Sequence, residues 1–526
     1  MSAINAWIGR LPFLKRALLA FLLGALVALA LAPVYMMFLL PVSFTGLVWI
    51  MAAAKTRKQA FFTGWWFAWG QFIAGLYWIG VAFTVDAATH EWLMPLPVLA
   101  LPAFLAIFSG FACLFTWMSR AEGLARLLIF AAIWTAGEYI RGIIFTGFPW
   151  NLVGYVWGAN LPVLQSVAYI GIYGLTLITV FVSCLPALIG ETGGSARTAR
   201  YALLLGCSLF AALVGLGAYR LTAPAPGIYE KTNLRLVQPN IAQTDKWKQD
   251  LRVGHVRKIL QLSLTPATQK PDYLIWPETA VPFYLTTSES LRNELADFVP
   301  KGGAIITGAP RYSPVTRQYW NSLQALDEKG RITAIYDKQH LVPYGEYMPL
   351  RSLMTMTGLT HLIPALDQMS DFASPDKTAP RIVKIGNLPP ARAMICYEIA
   401  FPWEVATGRP FDWILNITND GWFGNTSGPY QHLAMARTRA IEQGVAVVRA
   451  ANTGISAIIG PYGRFEKRLG LDMSGVVDGA LPRPLPGRTL YARFGEYIPV
   501  GLTLFFLAAG ALLSKQRRRR RLRLSA

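Results

Sequence analysis

Arg392-Ala393-Met394-Ile395-Cys396-Tyr397-Glu398 is a short run that closes on a cysteine, and its reading decides the fold of the polar part of the chain. The run reads as a strand whose far end delivers Cys396 to a loop. Two other segments follow the same pattern. Tyr273–Trp276 runs into Pro277, Glu278 and Thr279, and Ile332–Tyr336 runs into Asp337 and Lys338. Further strand candidates are Leu234–Gln238, Ala304–Gly308, Trp413–Ile417, Val445–Arg449 and Ile455–Ile459; helix candidates cover about 250–264, 289–299 and 428–443. Short β-rich runs alternating with amphipathic helices predict a layered α/β domain. The sequence has no evident internal repeat and no GxGxxG or GxxxxGK[ST] phosphate loop, which weighs against nucleotide-driven transport.

Outside residues 222–490 the chain changes character. Of 526 residues, 53% are hydrophobic and 15% charged, and the mean hydropathy is +0.37. A soluble chain carries about 25% charged residues, so neither disorder nor a wholly water-exposed fold fits. A bilayer crossing needs about 20 apolar residues. Seven such segments precede residue 222, at roughly 17–33, 36–54, 60–84, 93–118, 123–145, 161–190 and 200–220; an eighth covers about 495–514. The expected organisation is a seven-helix transmembrane domain (1–221), a catalytic insert (222–490), and a final transmembrane helix with a basic tail (491–526).

The basic residues orient these spans. Arg10, Lys15 and Arg16 precede the first, Lys55, Arg57 and Lys58 lie between the second and third, Arg120 follows the fourth, and Arg197 and Arg200 lie between the sixth and seventh. The alternate loops are poor in Lys and Arg, so the basic ends face the cytoplasm. Seven crossings then put 222–490 outside, and the eighth returns the tail inside. The net charge is +20, and Lys515, Arg517–Arg521 and Arg523 supply seven positive charges directly after the last apolar run. There they read as a cytoplasmic anchor attracted to anionic lipid, not as a nucleic-acid surface. Ala30-Leu31-Ala32 resembles a signal-peptide cleavage site, but Pro33 makes a poor start for a mature chain.

Glu278, Lys338 and Cys396 carry the chemistry. A cysteine attacks as thiolate and needs a base or a positive charge beside it. A carboxylate can take the thiol proton and later return it to a leaving group. An ammonium, with the backbone N–H after the nucleophile, here Tyr397, can hold a tetrahedral oxyanion. The three together suit acyl transfer through a thioester. Each alone has a plainer reading: an inert buried thiol, a surface glutamate, a solvated lysine.

The order Glu–Lys–Cys within Trp276-Pro277-Glu278-Thr279, Tyr336-Asp337-Lys338-Gln339-His340-Leu341-Val342-Pro343-Tyr344-Gly345-Glu346 and Cys396-Tyr397-Glu398 resembles the nitrilase (carbon–nitrogen hydrolase) superfamily. The stretch His340–Pro349 and the flanking spans narrow the resemblance to the bacterial apolipoprotein N-acyltransferase family, over nearly the whole chain. The resemblance implies an α/β/β/α sandwich and a ping-pong reaction. A glycerophospholipid would acylate the cysteine, and the N-terminal amine of an S-diacylglyceryl-cysteine lipoprotein would take the acyl group. It implies Cys396 as nucleophile, Glu278 as general base and Lys338 as oxyanion stabiliser. Glu346 corresponds to a second, supporting glutamate, Tyr397 and Glu398 to the residues after the nucleophile, and Trp247 to a tryptophan near the substrate entrance. It further implies a monomer in the bacterial inner membrane, with both termini cytoplasmic and the catalytic domain periplasmic.

Other features keep two readings each. Glu138 and Arg141, three apart late in the fifth span, are either a structural ion pair or groups facing a wet cavity. The stretch Met348–Ala379 carries apolar residues in a long loop, which suits a lid or membrane-dipping flap, or a cluster packed beneath it. Asn419–Gly424 shapes the pocket floor or is a plain turn. Cys113, Cys184 and Cys207 lie in apolar runs, and neither they nor His90, His255, His340, His361 and His432 show ligand spacing, so no disulfide, metal or cofactor is expected. A membrane-anchored amidase or nitrilase, with water resolving the thioester, is the second functional reading; a transporter or receptor is the third.

Overall fold

Side chains that alternate along the strands of the polar segment build two sheets with one shared core. The computed structural model describes residues 3–85, 91–190, 196–356, 371–376, 378–406 and 410–525. They form two compact units: Met1–Gly80 with Pro95–Pro224 and Thr489–Ala526, and Val81–Met94 with Ala225–Arg488.

The second unit holds twelve strands: β1 (Ile228–Gln238), β2 (Tyr273–Ile275), β3 (Ala304–Ser313), β4 (Gln318–Leu326), β5 (Ile332–Asp337), β6 (Ile382–Val383), β7 (Ala391–Ile395), β8 (Trp413–Thr418), β9 (Ala446–Ala451), β10 (Ser456–Ile459), β11 (Phe465–Leu469) and β12 (Gly475–Pro482). They make two six-stranded sheets, ordered β12-β1-β2-β3-β4-β5 and β11-β10-β9-β8-β7-β6. In each the middle is parallel, β1-β2-β3 in one and β7-β8-β9 in the other, and the flanks are antiparallel.

Period-two alternation sends every second side chain to the shared interior. Leu234, Leu236, Tyr273, Ile275 and Ile306 of one sheet and Ala393, Ile395, Trp413, Leu415 and Ile417 of the other fall in one buried cluster. Their neighbours face outward under helices. Val237, Leu274, Trp276 and Ile305 pack with Val256, Ile259 and Leu295 from helices Arg252–Ser263 and Glu289–Ala296. Met394, Ile414 and Val447 pack with Leu433, Ala436 and Ala440 of helix Gly428–Gln443. The result is the expected α/β/β/α sandwich, with the parallel strands buried on both faces. The eight strands read from the sequence are all present. Four more, β4, β6, β11 and β12, were not anticipated.

The first unit is helical, and helices occupy each of the eight apolar segments: Phe13–Leu29, Leu39–Ala52, Arg57–Leu76, Pro95–Met118, Leu124–Ile143, Val167–Cys184, Ala196–Arg220 and Tyr497–Ser525. Among the described residues five stretches are long and apolar enough to cross a membrane by length and composition: Arg57–Thr84, Pro95–Met118, Val167–Ile189, Ala199–Arg220 and Tyr497–Arg519. The first and third helices cross closely because glycine supplies the room. A Cβ on Gly24 would stand 1.7 Å from the Phe67 carbonyl oxygen, and one on Gly70 would stand 2.1 Å from that of Phe21. Trp65 and Trp69 donate their indole N–H groups to the carbonyls of Ala103 and Leu99, which ties Arg57–Leu76 to Pro95–Met118.

Glu138 and Arg141 resolve toward structure. Arg141 Nη1 donates to the carbonyls of Phe148 (2.5 Å) and Trp150 (2.9 Å), and Glu138 accepts from the Trp134 indole (3.3 Å) and the Val153 N–H (3.4 Å). The two charges therefore hold the non-helical turn at 144–152 to the helix before it.

One glycine positions the functional loops. β3 passes beneath Pro277–Thr279 at Gly308, whose Cβ would lie 2.4 Å from the Thr279 nitrogen and 2.6 Å from the Glu278 Cα. Gly308→Ala should therefore cost about 1–3 kcal/mol, as overpacking does. Chemical unfolding of the detergent-solubilised chain checks this, and an unchanged midpoint would mean the loop yields freely.

Candidate active site

The three strand ends converge. β2 ends at Ile275 and hands Glu278 to a tight turn in which Thr279 takes a left-handed φ of +47°. β5 ends at Asp337, one residue before Lys338. β7 ends at Ile395, and Cys396 itself adopts a φ of +52°, a strained elbow for a non-glycine residue. All three side chains are buried.

Lys338 Nζ lies 2.8 Å from Glu346 Oε2 and 3.8 Å from Glu278 Oε1. Between the two carboxylates stands Asn321, whose Nδ2 donates to Glu278 Oε1 at 2.7 Å and to Glu346 Oε1 at 2.9 Å. Its main-chain carbonyl accepts the Lys338 N–H at 2.8 Å. Glu346 is fixed a second way, accepting the Val342 N–H at 2.8 Å. Burial opposes the Lys338 charge, but the two glutamates outweigh it and hold the ammonium above its ordinary range. Cys396 goes the other way in ionisation. Burial and the Glu278 carboxylate push its thiol up to about 12, and Lys338 offsets only part of that. At neutral pH the group is a thiol, so an attack needs a proton acceptor in the site.

Glu398 and Tyr397 play different parts. Glu398 is buried, and its carboxylate accepts from the Tyr336 hydroxyl (2.9 Å) and from the N–H groups of Gln339 (2.8 Å), His340 (3.1 Å) and Ile395 (2.7 Å). It thus ties the cysteine elbow on one sheet to the Lys338 loop on the other. Tyr397 packs edge-on against Phe401 and His340. Trp247 is 41% exposed, and its main-chain carbonyl accepts from Arg252 at 3.4 Å. No bond joins the Trp247 side chain to the four acidic, basic and thiol groups among the described contacts.

Sequence reasoning missed a second buried group. His432 Nε2 lies 3.1 Å from the Cys396 carbonyl, which can only accept, so this nitrogen bears hydrogen. Burial and neighbouring Arg449 depress the imidazole, and Asp420 opposes them in part. Its Nδ1 lies 2.9 Å from Asp420 Oδ1 and 3.0 Å from Arg449 Nη2. Arg449 Nη2 also reaches Asp420 Oδ2 at 2.7 Å. Burial alone would raise the Asp420 pKa, but Arg449 and His432 outweigh it and pull it down to about 2. Asn419–Gly424 is therefore more than a plain turn: Asp420 opens a 3₁₀ turn, and its carboxylate anchors the histidine beneath the elbow. The apolar stretch on which the lid reading falls lies largely at 357–370, outside the described residues. Its near base is clasped, since Phe372 N–H donates to the Glu346 carbonyl at 2.8 Å and Arg351 pairs with Asp371 at 2.8 Å.

With that geometry in hand, the comparisons with known proteins read clearly. Residues 23–185 match the apolipoprotein N-acyltransferase N-terminal domain, and residues 233–489 match the carbon–nitrogen hydrolase domain. A Rhodopseudomonas palustris protein named apolipoprotein N-acyltransferase is 41% identical over 523 residues, covering 95% of this chain and 96% of that one. A Brucella melitensis protein of the same name is 39% identical over 546 residues, covering 98% of each. Among solved structures, a carbon–nitrogen hydrolase superfamily protein from Xanthomonas campestris is 20% identical, with a TM-score of 0.35 over 48% of this chain and 90% of that one. The fold and site define a carbon–nitrogen hydrolase-type enzyme. The chain belongs to the apolipoprotein N-acyltransferase family.

Removing Asp420 leaves a buried guanidinium unpaired, which typically costs about 3–5 kcal/mol. Asp420→Asn should lose stability on that scale at pH 7. Because the folded carboxyl titrates near 2 against an ordinary 3.8, its contribution is present above pH 4 and vanishes as pH falls through 2. Thermal unfolding of wild type should thus fall more steeply across that window than that of Asp420→Asn; parallel curves would refute the assignment.

Proposed function

We propose that this enzyme moves an acyl chain from a glycerophospholipid to Cys396, and from there to the α-amine of an S-diacylglyceryl-cysteine at a lipoprotein N-terminus. The observation that carries the reading is the convergence of buried Glu278 and Lys338 with partly buried Glu346 beside the Cys396 thiol, in a chain matched over 95% of its length by a protein named apolipoprotein N-acyltransferase.

The first half-reaction begins when Glu278 takes the Cys396 proton as sulfur attacks the donor's ester carbonyl. The C–S bond forms, and the carbonyl electrons move onto oxygen. That oxyanion is held by the Lys338 ammonium and the N–H of Tyr397, the residue after the elbow. Collapse breaks the ester C–O bond, Glu278 gives its proton to the departing lysophospholipid oxygen, and a thioester remains. In the second half the acceptor's amine attacks the thioester, Glu278 removes an amine proton, and the C–S bond breaks. The sulfur recovers its proton from Glu278 and the product is an amide. Glu346 keeps Lys338 charged and placed throughout.

The setting suits substrates that stay in lipid. Each buried CH₂ is worth about 0.8 kcal/mol, so a donor or acceptor gains most by leaving its chains in the bilayer while its reactive end reaches the site. Eight spans, with the 222–490 segment outside the inner membrane and both termini in the cytoplasm, fit the apolar helices and the basic residues on alternate connections. Trp247 would meet substrate at the entrance, a role its exposure on the loop next to Lys246 supports. A water-resolved amidase reaction is not favoured, because the matched relatives carry the N-acyltransferase name over nearly their full length.

Phospholipid labelled in its acyl chain tests the reading. Label should pass to a diacylglyceryl-cysteine peptide as amide. Release chiefly as free fatty acid would overturn it. Cys396→Ala should abolish transfer, Glu278→Gln should slow it by at least about 10²-fold, and Lys338→Met by about 10²–10³-fold. A Lys338→Met enzyme at full rate would remove the oxyanion role.

A further inference from the structure

Lys246 is a buried cation beside the site that the reaction above leaves unused. It is 3% exposed, an expensive place for a lysine, and its Nζ donates to the main-chain carbonyl of Glu278 at 2.9 Å. The loop that carries it is held firmly. Gln243 Oε1 accepts from Asn419 at 2.7 Å, Asn452 Nδ2 donates to the Ile241 carbonyl at 2.9 Å, and the Lys246 N–H closes on the Ala242 carbonyl at 3.2 Å. The carbonyl it grips belongs to the peptide ahead of Thr279, a β-branched residue at φ +47°, a conformation such residues rarely adopt. A strained peptide persists only where its surroundings hold it. Here Gly308 gives it space from below and Lys246 holds its oxygen.

We propose that Lys246 is a positioning residue of the acyl-transfer reaction: its ammonium fixes the Glu278 main chain, aims the carboxylate at the Cys396 proton, and supplies the second positive charge in a pocket of two carboxylates. The inference rests on the acyl-transfer reading above. With Lys338, Lys246 balances Glu278 and Glu346 two against two. Proton transfer from sulfur to Glu278 then takes place in a neutral pocket, and the oxyanion forms within reach of an extra cation's field.

The charge on Lys246 is conditional. Burial depresses its pKa to about 8, while Glu278 and Cys396, which face it from the β2 and β7 ends, act to raise it. On its own loop Asp245 is paired with Lys248 at 2.7 Å, and from the following helix His255 meets the Asp245 carbonyl and Arg252 the Trp247 carbonyl. Lys246 is therefore protonated below about pH 8 and loses its charge above it.

The test follows Cys396 acylation by labelled phospholipid in the full-length enzyme in detergent, with acceptor omitted. The omission matters because an α-amine itself titrates near 8. Wild-type acylation should fall about tenfold per pH unit above pH 8, the slope of a single proton lost. Lys246→Arg keeps the charge and should carry this decline beyond pH 9. Lys246→Met should acylate at least about tenfold more slowly at pH 7 and show no decline near 8. A decline unchanged in Lys246→Arg, or a wild-type rate at pH 7 in Lys246→Met, would overturn the proposal. Should Lys246→Met fail to fold, the Arg profile alone decides. A wild type that forms no adduct at any pH overturns the acyl-transfer reading itself, a result distinct from either.

Discussion

A buried and a partly buried carboxylate, two buried ammoniums and a buried thiol sit together, and most of what surrounds them makes that burial tolerable. An isolated charge in an interior of low dielectric is prohibitive. Glu278 and Glu346 are therefore bridged by Asn321 and paired with Lys338, while Lys246 spends its ammonium on the Glu278 backbone. The thiol gains least from this company. Burial and the adjacent carboxylate push its pKa up, so at rest the group is a thiol.

The two sheets contribute unequally. The β1–β5 side supplies Glu278, Lys338, Asn321 and Glu346, and the β7–β9 side supplies Cys396 on a strained elbow. Glu398 joins them, accepting N–H groups from Gln339, His340 and Ile395 with one carboxylate. His432 fixes the elbow from below through the Cys396 carbonyl, and Asp420 and Arg449 fix His432. A shift of one sheet against the other would therefore break hydrogen bonds at the residues that must meet. The sandwich sets the distance between the Cys396 thiol and the Glu278 carboxylate.

Much of this was legible in the sequence, for identifiable reasons. The parallel strands are buried on both faces, so they read as apolar runs, and the chemical residues stand just past their ends. Glu278, Lys338 and Cys396 were found that way, and the helical segments were found by length. β4 escaped because Asn321, Ser322 and Gln324 are buried polar residues that spoil its alternation. With it went Asn321, the group that bridges the two glutamates. β11 hides behind Glu466, Lys467 and Arg468 on an exposed edge, and β12 behind its glycines and Pro482. Asp420, His432 and Arg449 lie on a turn, a helix and a strand, and only the fold brings them together. The available signal was Arg449, a charge inside the apolar run Val445–Ala451. Lys246 read as the neighbour of a tryptophan, since nothing in a loop sequence announces that a lysine points inward.

The central claim is that Cys396 rests as a thiol and is activated by Glu278, not as a thiolate stored beside Lys338. The pH dependence of its alkylation by iodoacetamide, read by mass on the Cys396 peptide of the full-length chain, tests this most directly. The account predicts slow modification between pH 6 and 9 that keeps climbing with pH and shows no plateau, as befits a thiol raised to about 12. Rapid, pH-independent alkylation from pH 6 upward, the behaviour of a preformed thiolate, would contradict it.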